Sequence, residues 1–144
     1  MKDALKGNIC YFATSSKDGK PNVVPMGLVE PIGDSQLMIV DVRMNKTRKN
    51  LAENEQVALA FTNSGRLQAY QFKGKAKVIT SGELFDNAVQ ITKEKVHRRR
   101  HRLQHRLEET SDPEIRKKIE AMMDRDRVPK ATILIDIEEI YPTM

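Results

Sequence analysis

The chain has 144 residues, the usual size of a single domain. It carries 25 Lys and Arg against 20 Asp and Glu, a net charge of +5, but the stretch from Lys93 to Arg106 alone holds seven basic residues and one acid. The remaining 18 basic and 19 acidic residues nearly cancel, so the composition describes a near-neutral domain with one basic segment and disfavours nucleic acid as a partner of the whole surface.

Apolar and β-branched runs separated by turn residues predict strands through most of the first eighty residues. Asp18-Gly19 favours a hairpin between the first two strands, because both residues tolerate positive φ. Turns are predicted at Pro31–Ser35 and at Asn63–Gly65, and Gly74 is expected at a bulge or a close approach of two backbones. The five strands predicted here are Ile9–Ser15, Pro21–Glu30, Gln36–Val42, Gln56–Thr62 and Leu67–Ile79.

Helices are predicted after the third strand and before the last one. Asn45 is expected to cap a short helix over Lys46–Glu53 with its side chain. A long helix follows over Glu83–Glu109, and Asp112-Pro113 begins another, since proline is well tolerated at the first helical position. The sixth and last predicted strand is Ala131–Tyr141.

These elements predict one domain over residues 1–144 that is mainly β, with a helical excursion over residues 81–128: a small barrel or a sheet crossed by helices. The lone Cys10 excludes an intramolecular disulfide and a cysteine-cluster metal site, and we expect a buried, inert thiol. No apolar run approaches the ~20 residues of a membrane span, and the N-terminal MKDALKGN lacks the apolar region of a signal peptide. A cytoplasmic setting without membrane contact is therefore expected.

Positive charge collects where the third predicted strand gives way to the short helix. Lys46 and Thr47 occupy the first turn of that helix, where free backbone N–H groups and the helix dipole favour a phosphate group. Arg43, Arg48 and Lys49 add positive charge around this turn. The pattern indicates a phosphate site, and the alternative is an ordinary capped surface helix rich in lysine.

Several short motifs in this order resemble one known family. They are Asp18-Gly19-Lys20-Pro21, Asn45-Lys46-Thr47 before Asn50-Leu51, the strand VALAF, and Phe72-Lys73-Gly74-Lys75. Together they resemble the FMN-binding split barrels, the relatives of pyridoxamine 5′-phosphate oxidase and of the small bacterial FMN-binding protein. The resemblance runs from about Tyr11 to Thr80, and the last strand fits the same topology. It implies a six-stranded split β-barrel with a short helix after strand 3 and two helices before the last strand.

The resemblance also implies a cofactor, FMN, and the residues that bind it. Matched position by position, the family's 5′-phosphate site falls on Asn45, Lys46 and Thr47, with Asn50 close by. The flavin ring would lie along the second strand, and the ribityl chain along the end of the third. The positions that match these two parts, with one further polar contact on the fifth strand, are Pro25, Met26, Gly27, Asp41, Val42, Arg43 and Gln71. The family places the flavin at a two-fold interface, so a homodimer is expected.

The chain also departs from the oxidases of this family. They carry an arginine and a lysine on the second strand where Val24 and Val29 stand here, and their C-terminal substrate motif is missing. The resemblance therefore favours FMN binding, with an FMN-dependent oxidoreductase or electron carrier as the activity, and disfavours pyridoxamine 5′-phosphate as the substrate. No side-chain constellation indicates acid–base or nucleophilic catalysis, and the flavin itself performs hydride and electron transfer.

His97, His101 and His105 recur every four residues on the basic helix and therefore share one face. The neighbouring arginines would repel a dication, so no metal site is expected there. A solvated face is one interpretation, and contact with an anionic cofactor tail, a partner or nucleic acid is another. Two alternatives to FMN enzymology thus stay open: a relative that binds a deazaflavin or heme, and a non-catalytic protein that holds nucleic acid through the Arg-rich helix.

Overall fold

Seven strands and three α-helices make up the described part of this computed structural model, which covers residue 5, residues 8–125 and residues 128–143. The strands are β1 (Cys10–Ser15), β2 (Pro21–Met26), β3 (Val29–Ile32), β4 (Gln36–Asp41), β5 (Gln56–Asn63), β6 (Gln68–Ile79) and β7 (Ala131–Pro142). The helices are α1 (Lys46–Glu53), α2 (Glu83–Glu109) and α3 (Pro113–Met123), and a short 3-10 turn (Ser64–Arg66) joins β5 to β6.

The strands form one antiparallel sheet in the order β2-β1-β5-β6-β7-β4-β3, so β2 and β3 are its two edges. Only Gly27 and Leu28 separate these edge strands along the chain. Because consecutive Cα atoms are 3.8 Å apart, Met26 and Val29 lie at most about 11 Å from each other. The sheet must therefore curl until its edges approach. We call the place where they meet, residues 26–29, the seam.

The seam corrects the predicted strand count, since the barrel has seven strands and not six. The predicted strand Pro21–Glu30 ends as β2 at Met26 and resumes as β3 at Val29 on the opposite edge of the sheet. The sequence had predicted a turn at Pro31 and Ile32, but both residues continue β3. The run is β-prone throughout, so propensity alone does not show where the chain changes edges. The mainly β class, the split barrel, the short helix and the two helices before the last strand are confirmed.

Two hydrophobic layers hold the fold together. Inward-facing residues of alternating strand positions fill the barrel, among them Phe12, Leu59, Phe72 and Ile133. The second layer lies on the outer surface of β4, where Met38 and Val40 pack against Ala88 and its neighbours at the start of α2. An ion pair at 2.8 Å between Lys95 Nζ and Glu30 Oε1 fastens α2 to β3. In the described part of the chain, no helix combines the length and the hydropathy that a membrane span needs.

Gly74 and Cys10 both occupy the places that the sequence predicts. The ladder between β6 and β7 shifts its register between Lys73 and Gly74, and a Cβ at Gly74 would collide with the carbonyl oxygen of Asp136. Cys10 is fully buried, and this burial raises the pKa of its thiol to about 11. The thiol is therefore protonated at neutral pH and is not a nucleophile.

Candidate functional site

Two buried polar contacts fix α1 against the hairpin of β1 and β2. The side-chain amide of Asn22 donates to the hydroxyl of Thr47 at 3.1 Å, and the amide of Asn50 donates to the hydroxyl of Thr14 at 3.0 Å. Thr47, Asn50 and Thr14 are buried and Asn22 is half-buried, so the Asn50–Thr14 contact lies away from bulk water, where leaving a polar group unpaired is costly. The first two turns of α1 are thereby held in place from the barrel side.

The carboxylate of Asp41 fixes the loop that leads into α1. Asp41 is fully buried at the end of β4. One of its oxygens accepts the backbone N–H of Met44 at 2.7 Å, and the other lies 3.5 Å from the guanidinium of Arg48. Its carbonyl also accepts the N–H of Lys130 at 2.8 Å. Asp41 therefore determines the direction in which α1 begins.

The first turn of α1 has no side-chain cap. Asn45 occupies the capping position, but its side chain forms no capping hydrogen bond, so that prediction is wrong. The reason is conformational: Asn45 has φ −111° and ψ −69°, close to helical, whereas a capping residue typically adopts extended geometry. The first N–H groups of a helix have no intrahelical partner, so here they remain open to an external acceptor.

The surroundings of this turn are positively charged. Arg43, Lys46 and Lys49 are exposed, and no ion pair holds any of them within the described residues. Arg48 is the exception, because its charge is offset by Asp41. Three unpaired cations beside open N–H groups make a surface that attracts an anion.

The seam brings two of the predicted site segments together. The backbone N–H of Val40 donates to the carbonyl of Leu28 at 3.4 Å, which sets the end of β2 beside the end of β4. Gly27 directly precedes Leu28 and Asp41 directly follows Val40, so both flank this contact, whereas Pro25 and Met26 pair with β1. A Cβ at Gly27 would meet no atom within 4 Å, so the space beside it is open.

Gln71 stands apart from this group within one chain. The register places Pro25 opposite Tyr11, Tyr11 opposite Ala60, and Ala60 opposite Gln71, all on one row across the sheet. Three strand spacings of ~4.8 Å put the backbone of Gln71 about 14 Å from that of Pro25. A molecule at the seam could contact Gln71 in two ways. It could extend along this row, or it could meet the Gln71 of a second copy of the chain.

The outer surface of β1, β2 and β5 exposes apolar side chains. Tyr11 is 51% exposed and Val23 is 61% exposed, and the half-buried Ala13, Ala58 and Ala60 adjoin them, since Ala13 pairs with Val23 and Ala58 and Tyr11 pairs with Ala60. We call these five residues the outer patch. Contiguous apolar residues of this kind make a candidate interaction surface.

Sequence reasoning missed the residues that position the site from the barrel side. Asn22 and Thr14 hold α1, and Tyr11 dominates the outer patch. A usable signal existed for Thr14, because it continues the inward alternation of Cys10 and Phe12 and so predicts a buried hydroxyl that needs a partner. The partner itself lies 36 residues away.

No cluster of three or more His, Cys, Asp or Glu side chains able to hold a metal occurs among residue 5, residues 8–125 and residues 128–143. The candidate site therefore offers backbone N–H groups, cations and an open seam. Groups of these kinds suit the binding of a phosphorylated molecule.

The family model for pyridoxamine 5′-phosphate oxidase matches residues 2–143 of the chain. An uncharacterized protein of Methanocaldococcus jannaschii is 38% identical over 95 residues. That alignment covers 65% of this chain and 63% of the relative, so the chain matches less than two thirds of that protein's length.

Solved structures share the fold over nearly the whole chain. HupZ of Group A Streptococcus superposes with a TM-score of 0.73 at 23% identity, covering 99% of this chain and 90% of its own. An FMN-binding protein of Syntrophomonas wolfei gives 0.67 at 16% identity, with coverage of 99% and 83%. The heme storage protein HutZ of Vibrio cholerae gives 0.59 at 12% identity, with coverage of 95% and 87%. At these identities the likeness establishes the fold alone.

Proposed function

The chain belongs to the pyridoxamine 5′-phosphate oxidase family, and from that premise we propose that it is a flavoprotein that binds FMN. Bound FMN would supply hydride or electron transfer, so the proposed activity is that of an oxidoreductase or electron carrier. The chain's own residues bind the phosphate, orient the ring and exclude water. We also propose that the protein is cytoplasmic, which agrees with its single free cysteine.

One observation carries the proposal: the uncapped, cation-rich first turn of α1 follows the end of β4, the strand whose Val40 bonds to Leu28 of the open seam. Asn22 and Asp41 fix this turn from two sides, and Arg43, Lys46 and Lys49 surround it. The phosphate would accept from the first-turn N–H groups and from Lys46. The flavin ring would occupy the space beside Gly27, with Pro25 and Met26 along it and Asp41, Val42 and Arg43 along the ribityl chain.

Thr47 and Asn50 take supporting roles in this arrangement. The Thr47 hydroxyl accepts from Asn22 and is buried, so Thr47 would serve the phosphate by holding the turn in place. The Asn50 amide is engaged with Thr14 and holds α1 in place. Asn45 contributes its backbone, since its side chain does not cap the helix.

The substrate is proposed to differ from pyridoxamine 5′-phosphate. Val24 is partly buried against the barrel core and Val29 is 5% exposed within it. These are the positions at which the oxidases carry an arginine and a lysine. Two apolar side chains directed into the core offer no ion pair to a second phosphate.

FMN is favoured over heme by the distribution of histidine. Heme iron in most proteins is held by His, Cys, Met or Tyr, with His the commonest ligand. The three histidines of this chain all lie on α2, at positions 97, 101 and 105, and Cys10 is buried in the core, so only Met26 and Tyr11 are residues of ligand type among those assigned to the seam and the outer patch. A deazaflavin has the same ring shape as a flavin, so it is an alternative ligand that a binding titration has to compare with FMN.

The functional unit is proposed to be a homodimer joined through the outer patch. Burial of Tyr11 and Val23 against a second copy would remove two large apolar side chains from water. A two-fold axis through this patch would place Gln71 of one protomer within reach of the other's seam. The second subunit would then complete the flavin site.

Titration of the purified apo protein tests the proposal. FMN should bind with one molecule per chain, seen as quenching of flavin fluorescence and a shifted visible spectrum, while hemin and a deazaflavin bind more weakly. Lys46→Gln should weaken FMN binding by about 1.5 kcal/mol, roughly tenfold, because one charge-assisted hydrogen bond is lost. Lys20→Gln, at the tip of the β1–β2 hairpin, is the matched control and should bind as the wild type does. Saturable hemin binding without FMN binding would contradict the proposal.

A further inference from the structure

The second half of α2 presents an unbroken basic surface to solvent. His97, Arg98, His101, Arg102 and His105 are all exposed and recur at intervals of one, three and four residues. Such spacing gathers them on one side of the helix. We call these five residues the basic face. From residue 97 to residue 106 the chain contains no acid, and at 1.5 Å per residue this stretch is about 15 Å long.

The other sides of this helix are already occupied. Leu103 is buried against α3, where Ile119 is buried as well. The guanidinium of Arg100 donates to the carbonyl of Met123, and that of Arg116 donates to the carbonyls of Leu107 and Thr110. The packing of α3 therefore uses the side of α2 that faces away from the basic face.

The arginines of the basic face contribute nothing to the fold that the structure shows. Within the described residues, neither Arg98 nor Arg102 has an ion pair or a hydrogen-bonded partner, and the same holds for the exposed side chain of Arg106 one turn further on. His105 alone is paired, with Glu109 at 3.3 Å. Arg98, Arg102 and Arg106 follow one another at four-residue spacing, and like charges so placed destabilise an isolated helix. A row of unpaired, mutually repelling cations is explained by an anionic partner that covers it.

The chemistry of the face selects among anionic partners. A helix that binds a membrane surface exposes apolar side chains beside its cations, but none of the large exposed hydrophobic residues of the described chain lies on α2. No Phe, Tyr or Trp follows Phe85 on this helix, so unpaired bases could stack there only on histidine and arginine side chains. What remains is a rigid row of positive charge, which matches the regular phosphates of a nucleic-acid duplex.

We infer that the basic face of α2 binds double-stranded nucleic acid through its phosphate backbone, without reading sequence. The overall composition argued against nucleic acid as a partner of the whole surface, and the structure locates the excess charge on a single free helix side. This activity is separate from the flavin site, because α1 and the seam contribute none of its residues.

Fluorescence anisotropy with a labelled 24-base-pair duplex tests the inference, using the full chain. Neutralising three phosphates should give a slope of log affinity against log salt of about −2.7, or roughly a 40-fold loss between 50 and 200 mM salt. The triple variant Arg98→Gln, Arg102→Gln, Arg106→Gln should lose at least tenfold in affinity and flatten that slope. The matched control Lys17→Gln, Lys20→Gln, Arg66→Gln removes the same charge from exposed hairpin tips and should bind as the wild type does.

Competition experiments distinguish the duplex from other anionic partners of the basic face. Poly-glutamate and vesicles containing phosphatidylserine should compete more weakly than the duplex at equal charge, and DNA and RNA duplexes of the same length show which nucleic acid is preferred. Absence of binding at 50 mM salt, equal losses in the two triple variants, or stronger binding of poly-glutamate or vesicles would overturn the inference. FMN titration of the arginine triple variant distinguishes the flavin site from the basic face. Its FMN affinity should equal that of the wild type, because none of the replaced arginines belongs to the flavin site.

Discussion

Two amide–hydroxyl contacts, Asn22 with Thr47 and Asn50 with Thr14, decide where α1 lies on the barrel. The sequence identified Thr47 and Asn50 as candidate site residues because they stand in a polar, basic turn. It did not identify their partners, which lie 25 and 36 residues away along the chain. Local patterns predict which side chains are polar and which backbone is helical, whereas the pairing of distant polar groups depends on how the sheet curls.

Gly74 allows the sharpest prediction of stability. Because a Cβ at this position would strike the carbonyl of Asp136, Gly74→Ala forces β6 and β7 apart at their bulge. We expect the free energy of unfolding to fall by about 3 kcal/mol, measured by urea denaturation.

Gly65→Ala is the control for that substitution. Gly65 lies in the 3-10 turn, and a Cβ there would make only an ordinary contact at 3.6 Å with Asn63 Oδ1. Its effect should stay within about 0.5 kcal/mol. Equal effects of the two alanines would mean that β6 and β7 do not approach closely at Gly74.

At the scale of elements, helices followed from the sequence more closely than strands. The bounds of α1 and α2 agree with the predicted ranges because periodic apolar positions are a local signal, and Asp112 and Pro113 begin α3 as predicted because a capping residue and a proline are local signals as well. The strand Pro21–Glu30 was predicted as one element, because both halves have the same β propensity and only Gly27 and Leu28 mark the change of edge. The order of strands in a sheet depends on contacts between residues that are distant along the chain, so the composition of one strand does not predict it.

The outer patch supports a prediction about assembly. Tyr11→Asp with Val23→Asp places two charges at exposed apolar positions on adjacent strands of the proposed interface, and burying an unpaired charge is costly. In sedimentation velocity the wild type should behave as a dimer and the double variant as a monomer. FMN affinity should fall together with the dimer, since the second protomer completes the site.

Ile115→Asp provides the comparison for this pair. Ile115 is 40% exposed on α3, away from the outer patch. That variant should remain dimeric. A double variant that still sediments with the wild type would show that the outer patch is not the interface.

At the scale of the whole molecule, the fold arranges two charged surfaces with different geometry. The cations around α1 stand beside open N–H groups and a seam, where a single phosphorylated ligand fits. The cations of α2 form an extended row along an exposed helix side, which suits a polymer. The net charge of +5 thus comes from the segment Lys93–Arg106, and the rest of the chain nearly cancels although it gathers cations around α1.

The resemblance in sequence correctly indicated the family and the split barrel, and the structure adds the means by which the candidate site is positioned. That Asn45 leaves the first turn uncapped could not be read from its residue type, since asparagine is a favoured capping residue and only its near-helical φ and ψ prevent the contact. The same open turn gives the phosphate its proposed place. The central claim is therefore that the affinity for the cofactor depends on its phosphate.

Comparing the affinities of the apo protein for FMN and for riboflavin, which has the same ring and ribityl chain without the phosphate, tests this claim most directly. Because the first-turn N–H groups and Lys46 would contact only the phosphate, FMN should bind more tightly by about 2–4 kcal/mol, roughly 30- to 1,000-fold. Equal affinities for the two flavins, or no binding of FMN at micromolar concentration, would contradict the account.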